Sequence, residues 1–160
     1  MKKPALSARG LKGFTLIEMM VVVLVLAVLA AFAVPSFRTM IANQRVTSAA
    51  QELQVVLLYA RSEAVYKRVE TTVTSSGQKW EVTAAEQVLR EATLSDVVNV
   101  EPGSAGGVIF DVSGQAKPAA GGTSYTVSVS ATDASRVQCL NVSPAGLVRL
   151  KGVPIGQACP

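Results

Sequence analysis

The sequence predicts an α+β protein in which one long N-terminal helix precedes a sheet-forming region. Sixteen consecutive apolar residues, Met19–Val34, are followed by apolar residues at spacings of three and four as far as Ala64, which is the period of a helix buried on one side. Beyond residue 68, short alternating or apolar stretches are separated by glycine- and serine-containing turns, as in antiparallel strands. We therefore expect a long helix packed on an antiparallel β-sheet or β-sandwich.

The beginning of the chain is basic and then apolar. The cations that precede the apolar run are Lys2, Lys3, Arg9 and Lys12, and the next basic residue is Arg38. About twenty helical residues cross the ~30 Å hydrocarbon core of a bilayer, so the run is long enough to span a membrane. The positive-inside tendency places the N-terminus in the cytoplasm and the rest of the chain outside it.

Three interpretations of this run are open. A secretory signal peptide would have a similar layout, with Ala31-Phe32-Ala33 as its cleavage site, and a plain membrane anchor needs only the hydrophobicity. Neither explains Glu18, because a carboxylate inside a membrane helix costs ~2.5–3.5 kcal/mol on insertion scales. A cut after Gly13 would supply the missing cation, since it creates an α-amino group near this Glu18 or a neighbour's.

The segment Gly13-Phe14-Thr15-Leu16-Ile17-Glu18 resembles the class III leader of type IV pilins and type II secretion pseudopilins. The resemblance implies that a prepilin peptidase cuts between Gly13 and Phe14 and methylates the new N-terminus at Phe14. It also implies that Glu18 pairs with an N-terminal amine during filament assembly. The expected parts of the chain are a leader at 1–13, a transmembrane and filament-core helix at 14–34, its amphipathic continuation at 35–68 and a β-rich domain with a C-terminal disulfide loop at 69–160.

The overall basic charge of +4 comes from the leader. Four of the 15 Lys and Arg residues lie in positions 1–13, which leaves 11 against 11 Asp and Glu. The balanced remainder gives no charge-based reason to expect nucleic-acid or anionic-membrane binding.

The helix is expected to continue beyond the membrane segment to about Lys67 or Arg68. Pro35 should kink the helix or end it, because proline lacks an N–H and its ring clashes with the preceding turn; in the pilins that the chain resembles, a proline here kinks or locally melts the helix. The apolar stripe that should pack on the sheet is Ala42, Val46, Ala49, Leu53, Val56, Leu57, Ala60 and Ala64.

Several strands are predicted from residue 71 onward. They are Thr71–Thr74 and Lys79–Val82 around a turn at Ser75-Ser76-Gly77, Val108–Val112, Tyr125–Ser130, and Val137–Val142 and Leu147–Leu150 around Ser143-Pro144-Ala145-Gly146. The stretch from Ala84 to Pro102 is ambiguous: Ala85–Arg90 could start a short helix, and Val97–Val100 could form a strand.

Further motifs resemble the FimT/FimU and GspH branch of minor pilins. They are Ala60-Arg61-Ser62-Glu63-Ala64, Trp80, Phe110-Asp111 with Gly114, and Val142–Gly146 with Arg149. We expect Trp80 and Phe110 to be core residues. The resemblance implies a minor type IV pilin that takes part in priming or tip assembly of the pilus; its partners would be other pilins, the prepilin peptidase and the inner-membrane assembly platform, and its final location would be the pilus fibre.

Cys139 and Cys159 are the only cysteines, and both would lie outside the cytoplasm, where disulfides persist. A bridge between them would close a loop of about twenty residues, worth roughly 3 kcal/mol by the chain-entropy estimate. Such a C-terminal loop is also common in type IV pilins, and it favours a FimU-like member over a GspH-like pseudopilin of the type II secretion system, the alternative within this class.

A DNA-binding role in natural transformation is the alternative from another class. Some FimT proteins bind DNA through Gly-Arg-x-Arg, whereas this chain has Gly146-Leu147-Val148-Arg149 and keeps only the second arginine. Arg136, Arg149 and Lys151 could form a small basic patch.

An enzyme is not expected, and neither is a cofactor or a metal. The sequence has no His, no Gly-rich phosphate loop, no G-x-S-x-G motif and no spaced set of metal ligands.

Overall fold

The computed structural model describes residues 13–103 and 106–160. One long helix is followed by nine strands. In chain order they are α1 (Leu16–Lys67), β1 (Thr71–Ser76), β2 (Lys79–Ala84), β3 (Gln87–Thr93), β4 (Asn99–Pro102), β5 (Val108–Phe110), β6 (Ala116–Pro118), β7 (Tyr125–Ser130), β8 (Arg136–Val142) and β9 (Val148–Pro154). This is the predicted α+β fold.

Helix α1 ends where the sequence predicted. Its last residue is Lys67, and Arg68 adopts φ 54°, the left-handed conformation that closes many helices. Pro35 lies inside α1, so the helix does not end there, which was one of the two predicted effects. Proline removes only one backbone hydrogen bond of the helix. The helix continues on both sides of Pro35 over 52 residues in all.

The predicted apolar stripe is confirmed. All eight of its members are buried, as is the neighbouring Ala50, and they form one core with the sheets. Trp80 and Phe110, which were predicted as core residues, are fully buried in this cluster.

The strands form two antiparallel sheets. The five-stranded sheet has the order β3-β2-β1-β5-β6, and the four-stranded sheet has the order β4-β7-β8-β9. Burial alternates along β7, with Tyr125, Val127 and Val129 in the core, as the sequence pattern predicted. Both sheets contribute to the core that α1 covers.

The predicted helix at Ala85–Arg90 is wrong. Strand β3 occupies most of this stretch and pairs with β2 through a two-residue connection. The two connecting residues, Ala85 and Glu86, have φ 47° and 64°. Positive φ at both positions is typical of a type I′ hairpin turn, which usually contains Asn-Gly. Alanine and glutamate favour helices, so strand pairing has overridden local preference here.

Several strand limits differ from the predicted ones. The turn between β1 and β2 consists of Gly77 and Gln78, whereas Ser75-Ser76-Gly77 was predicted. Ser76 still belongs to β1, because it pairs with Lys79. Strand β4 lies two residues later than Val97–Val100, β5 ends at Phe110, and β6 was not predicted. Strand β9 continues four residues beyond Leu150, as far as Pro154.

Arg61 of the Ala-Arg-Ser-Glu-Ala motif joins α1 to one hairpin of each sheet. Its Nε donates to the carbonyl oxygen of Gly114 at 3.1 Å, and Nη2 donates to that of Ala145 at 3.3 Å. A side chain at Gly146 would overlap the Gly114 carbonyl, so the two turns touch through a glycine. Three of the branch motifs, those that contain Arg61, Gly114 and Gly146, therefore meet at one structural contact.

The two hairpins use the same turn. Asp111 N donates to Gln115 O and Gly114 N to Asp111 O, while Ser143 N donates to Leu147 O and Gly146 N to Ser143 O. In each turn the glycine has positive φ, as expected for three-residue hairpin loops with a bulge.

Asp111 closes the first of these turns. Its Oδ1 accepts hydrogen bonds from the Ser113 hydroxyl at 2.7 Å and from the N–H groups of Ser113 at 2.8 Å and Gln115 at 2.9 Å. The Ser113 hydroxyl bond above all, with the backbone N–H groups, holds the pKa of Asp111 below its ordinary value of 3.8.

We expect Leu53→Ala to lower the free energy of unfolding by about 2–5 kcal/mol, because it opens a cavity at a fully buried position of α1. The matched control is Leu58→Ala on the same helix, where the side chain is 43% exposed and the loss should be much smaller. Urea unfolding of the full chain in detergent, followed by fluorescence of the single buried Trp80, measures both. Equal losses would contradict the assigned helix face.

We expect Asp111→Asn to lower the melting temperature at pH 7 and to lose this effect in acid. The pKa of Asp111 is depressed by folding, so its carboxylate stabilises the fold above the ordinary value of 3.8 and ceases to do so as pH falls through the lower folded value. Thermal melts of both proteins between pH 7 and pH 2 test this. Asp133→Asn is the control, since this exposed carboxylate accepts no hydrogen bond from the described residues. A difference that persists at the lowest pH would contradict the assignment to charge.

Candidate functional site

The N-terminal site begins with three non-helical residues, Gly13, Phe14 and Thr15, and continues into α1. Thr15 caps the helix: its Oγ1 accepts a hydrogen bond from Glu18 N at 3.2 Å, and its carbonyl accepts the bond from Met19 N at 3.2 Å. Thr15-x-x-Glu18 matches the capping-box pattern, a signal in the sequence that identifies this helix start.

Glu18 therefore lies in the first turn of α1, where the helix dipole favours a negative charge. It is the only charged residue between Phe14 and Phe37. Among the described residues it has no cationic partner within 4.0 Å. The carboxylate can therefore accept a cation from outside this part of the chain.

The residues around Glu18 present apolar side chains to their surroundings. Phe14 is 75% exposed, and every residue from Leu16 to Phe37 is exposed. Within the described ranges, α1 is the one helix that is long and apolar enough to cross a membrane. An apolar helix surface of this length requires a lipid or protein environment.

Gly13 is not explained by packing. A Cβ added there would meet nothing within 4 Å. Packing against the described residues therefore does not account for a glycine at this position.

A second candidate region is the outer face of the four-stranded sheet. The predicted disulfide is present: Cys139 and Cys159 are bonded, with their Cα atoms 5.6 Å apart. Asn141 Nδ2 also donates to Pro160 O at 3.4 Å, so the C-terminal residues lie on this face. The bridge fixes a segment that has no strand partners of its own.

The three cations proposed for a basic patch do not gather on one face. Arg149 is paired with Asn141 and Lys151 with Cys139, so these two cations share the outer face with the disulfide. Arg136 is paired with Pro154. Side chains alternate between the two faces along β8, so Arg136 lies on the same face as the core residue Leu140 and not on the face of Cys139. Two cations are a small surface for binding phosphates.

Residues 13–103 and 106–160 contain no group of three or more Cys, Asp or Glu side chains arranged to hold a metal ion.

The fold and these sites can be compared with known proteins. The model of the family described as type II transport protein GspH matches residues 49–146, more than half of the chain. The chain belongs to the GspH family. A second model, of the prokaryotic N-terminal methylation motif, matches residues 9–34, which include Gly13, Phe14 and Glu18.

Individual relatives agree with this family. A fimbrial protein of Pseudomonas aeruginosa is 30% identical over 90 residues, which cover 56% of this chain and 58% of that protein, so the match spans less than two thirds of the curated relatives' length. The type IV minor pilin FimU of P. aeruginosa has a similar crystal structure, with a TM-score of 0.57, 26% identity, and coverage of 68% of this chain and 89% of that one.

The minor pseudopilin EpsH from the type II secretion system of Vibrio cholerae has a TM-score of 0.54 and covers 71% of this chain and 99% of that one. At 16% identity it shows the fold alone. This GspH-family chain is therefore type IV pilin-like, and its methylation motif and apolar helix indicate a membrane-anchored pilin.

We expect the double variant Cys139→Ser with Cys159→Ser to lose about 3 kcal/mol of unfolding free energy, since the bridge closes a loop across a sequence separation of 20. Urea unfolding of the full chain in detergent measures it. Reduction of the unmodified protein serves as the control and should produce the same loss. An unchanged unfolding curve in both cases would show that the bridge does not stabilise this fold.

Proposed function

We propose that this chain is a minor type IV pilin, processed between Gly13 and Phe14 and methylated at Phe14, that acts in priming or tip assembly of a pilus. The observation that carries the proposal is the exposed apolar start of α1 with Glu18 as its single charge. The leader at 1–13 would be removed in the cytoplasm, the helix at 14–34 would cross the inner membrane, and the domain at 69–160 would face the periplasm.

Removal of the leader would give Glu18 a partner. Cleavage creates an α-amino group at Phe14, and a neighbouring subunit's ammonium could pair with Glu18 between apolar helices. Ionic groups in a dry environment need such a partner, because an unpaired buried charge costs several kcal/mol. The pair would therefore favour correctly registered subunits over misaligned ones.

Gly13 supports the processing step. The described residues around it leave space for a side chain, so their packing does not require glycine there. Recognition by a prepilin peptidase would explain why this position is a glycine. The match of the methylation motif over residues 9–34 supports the same step.

A pilus is favoured over a secretion system by the relatives. The fimbrial protein and FimU are more similar in sequence to this chain than EpsH is. The second candidate function, a minor pseudopilin of a type II secretion system, is supported by the GspH family match and by the EpsH fold. The two are separated by finding whether the tagged chain is recovered with sheared pili, and whether its deletion abolishes piliation or secretion of exoproteins.

We expect Glu18→Ala to be processed normally but to be lost from sheared pili, because its helix cannot pair with a neighbour's ammonium. Immunoblots of membrane and pilus fractions, with mass spectrometry of the N-terminus, measure both steps. The matched control is Glu52→Ala, which removes another exposed carboxylate of α1 and should be processed and incorporated.

Gly13→Val provides the complementary control, since it should remain at precursor size. Normal recovery of Glu18→Ala in sheared pili would contradict the assembly role. A mature-size band from Gly13→Val would contradict the cleavage site.

A further inference from the structure

Strand β9 is the longest regular free edge of the two sheets in the described ranges. It has seven residues and pairs with β8 without a shift of register from Arg136↔Pro154 to Val142↔Val148. The other edges are less suited to pairing: β6 has three residues, β4 has four and ends in Pro102, and the ladder of β3 contains a bulge.

The backbone of β9 points a regular set of groups away from β8. Ser143 N donates to Leu147 O at one end of the hairpin, and Ile155 N donates to Ser135 O at the other. Hydrogen-bonded pairs alternate in an antiparallel ladder, so positions 149, 151 and 153 bond to β8. The N–H and C=O groups of Val148, Leu150 and Gly152 therefore face outward, and no backbone or side-chain hydrogen bond of the described residues outside the ladder uses them.

The side chains of β9 divide by face. Arg149 and Lys151 lie two apart on the outer face, and neither has an acidic partner within 4.0 Å among the described residues. Val148 and Leu150 lie on the core face but remain only partly buried, whereas their partners on β8, Leu140 and Val142, are fully buried.

Apolar side chains also mark both ends of the edge. Leu147, just before β9, is 47% exposed, and Ile155, just after it, is 54% exposed. A further strand would cover the core-face side chains, which the last strand of a sheet leaves open on one side.

We propose that β9 is a docking edge for an extended segment of another subunit, in which apolar residues alternate with acidic ones. Such a segment would continue the four-stranded sheet by backbone hydrogen bonds, place its carboxylates beside Arg149 and Lys151, and cover Val148 and Leu150. A second copy of β9 is disfavoured, because it would place like charges side by side. The inference rests on the proposed function only in taking the partner to be another subunit.

The test uses the full chain in detergent and three synthetic seven-residue peptides. The first alternates valine with glutamate, the second carries lysine in place of glutamate, and the third has proline at its centre. We expect only the glutamate peptide to bind, and to slow hydrogen exchange at the amides of Val148, Leu150 and Gly152. Because the chain is studied alone, the result does not depend on whether Glu18 acts in assembly.

The charge-reversed variant, Arg149→Glu with Lys151→Glu, should bind the glutamate peptide about tenfold more weakly and should now prefer the lysine peptide. A misfolded protein would not gain this preference. Arg136→Glu is the matched control, since it reverses a cation of the same hairpin at a position of the other face, and its peptide binding should be unchanged.

The proposal would be overturned if no peptide slowed exchange at these three amides, or if the lysine and glutamate peptides bound equally to the unmodified chain. It would also be overturned if duplex DNA protected this region and the glutamate peptide did not. In that case the two cations would belong to a nucleic-acid surface, with a salt-dependent affinity.

Discussion

The burial of one face of α1 holds the β-rich part of this protein together. Alanines, valines and leucines from Ala42 to Ala64 form a single core with strands of both sheets. An antiparallel sheet with one apolar side needs a covering layer, and this helix face is part of the core that both sheets share. Arg61 adds a directional contact to this apolar one, because it reaches a hairpin of each sheet from the helix surface.

The beginning of the same helix has the opposite character. From Phe14 to Phe37 the side chains are exposed and mostly apolar, and Glu18 is the only charge among them. A single carboxylate in such a stretch is unfavourable unless a cation reaches it. The first part of α1 therefore needs other molecules, whereas the second part is satisfied within its own chain.

The family motifs in the two parts of the chain have different physical roles. Gly13, Phe14 and Glu18 make few contacts with the other described residues. Arg61, Asp111 and Gly146 are used within the fold, where they fix two hairpin turns of the same kind. The β8–β9 hairpin joins both roles: its turn is fixed by Arg61, while its outer edge is open.

The sequence alone determined the fold class, the helix and its buried stripe, the alternation of β7 and the cysteine pairing. The spacing of apolar residues along the chain predicts the helix, the stripe and the strand. The disulfide follows from two cysteines that are both expected outside the cytoplasm. It also contained the N-terminal motif that the family comparison bears out. Tertiary structure decided the turn at Ala85 and Glu86, the strand order and the placement of Arg136 away from Arg149. Each depends on which strands pair and in what register, and a one-residue change of register moves a side chain to the opposite face.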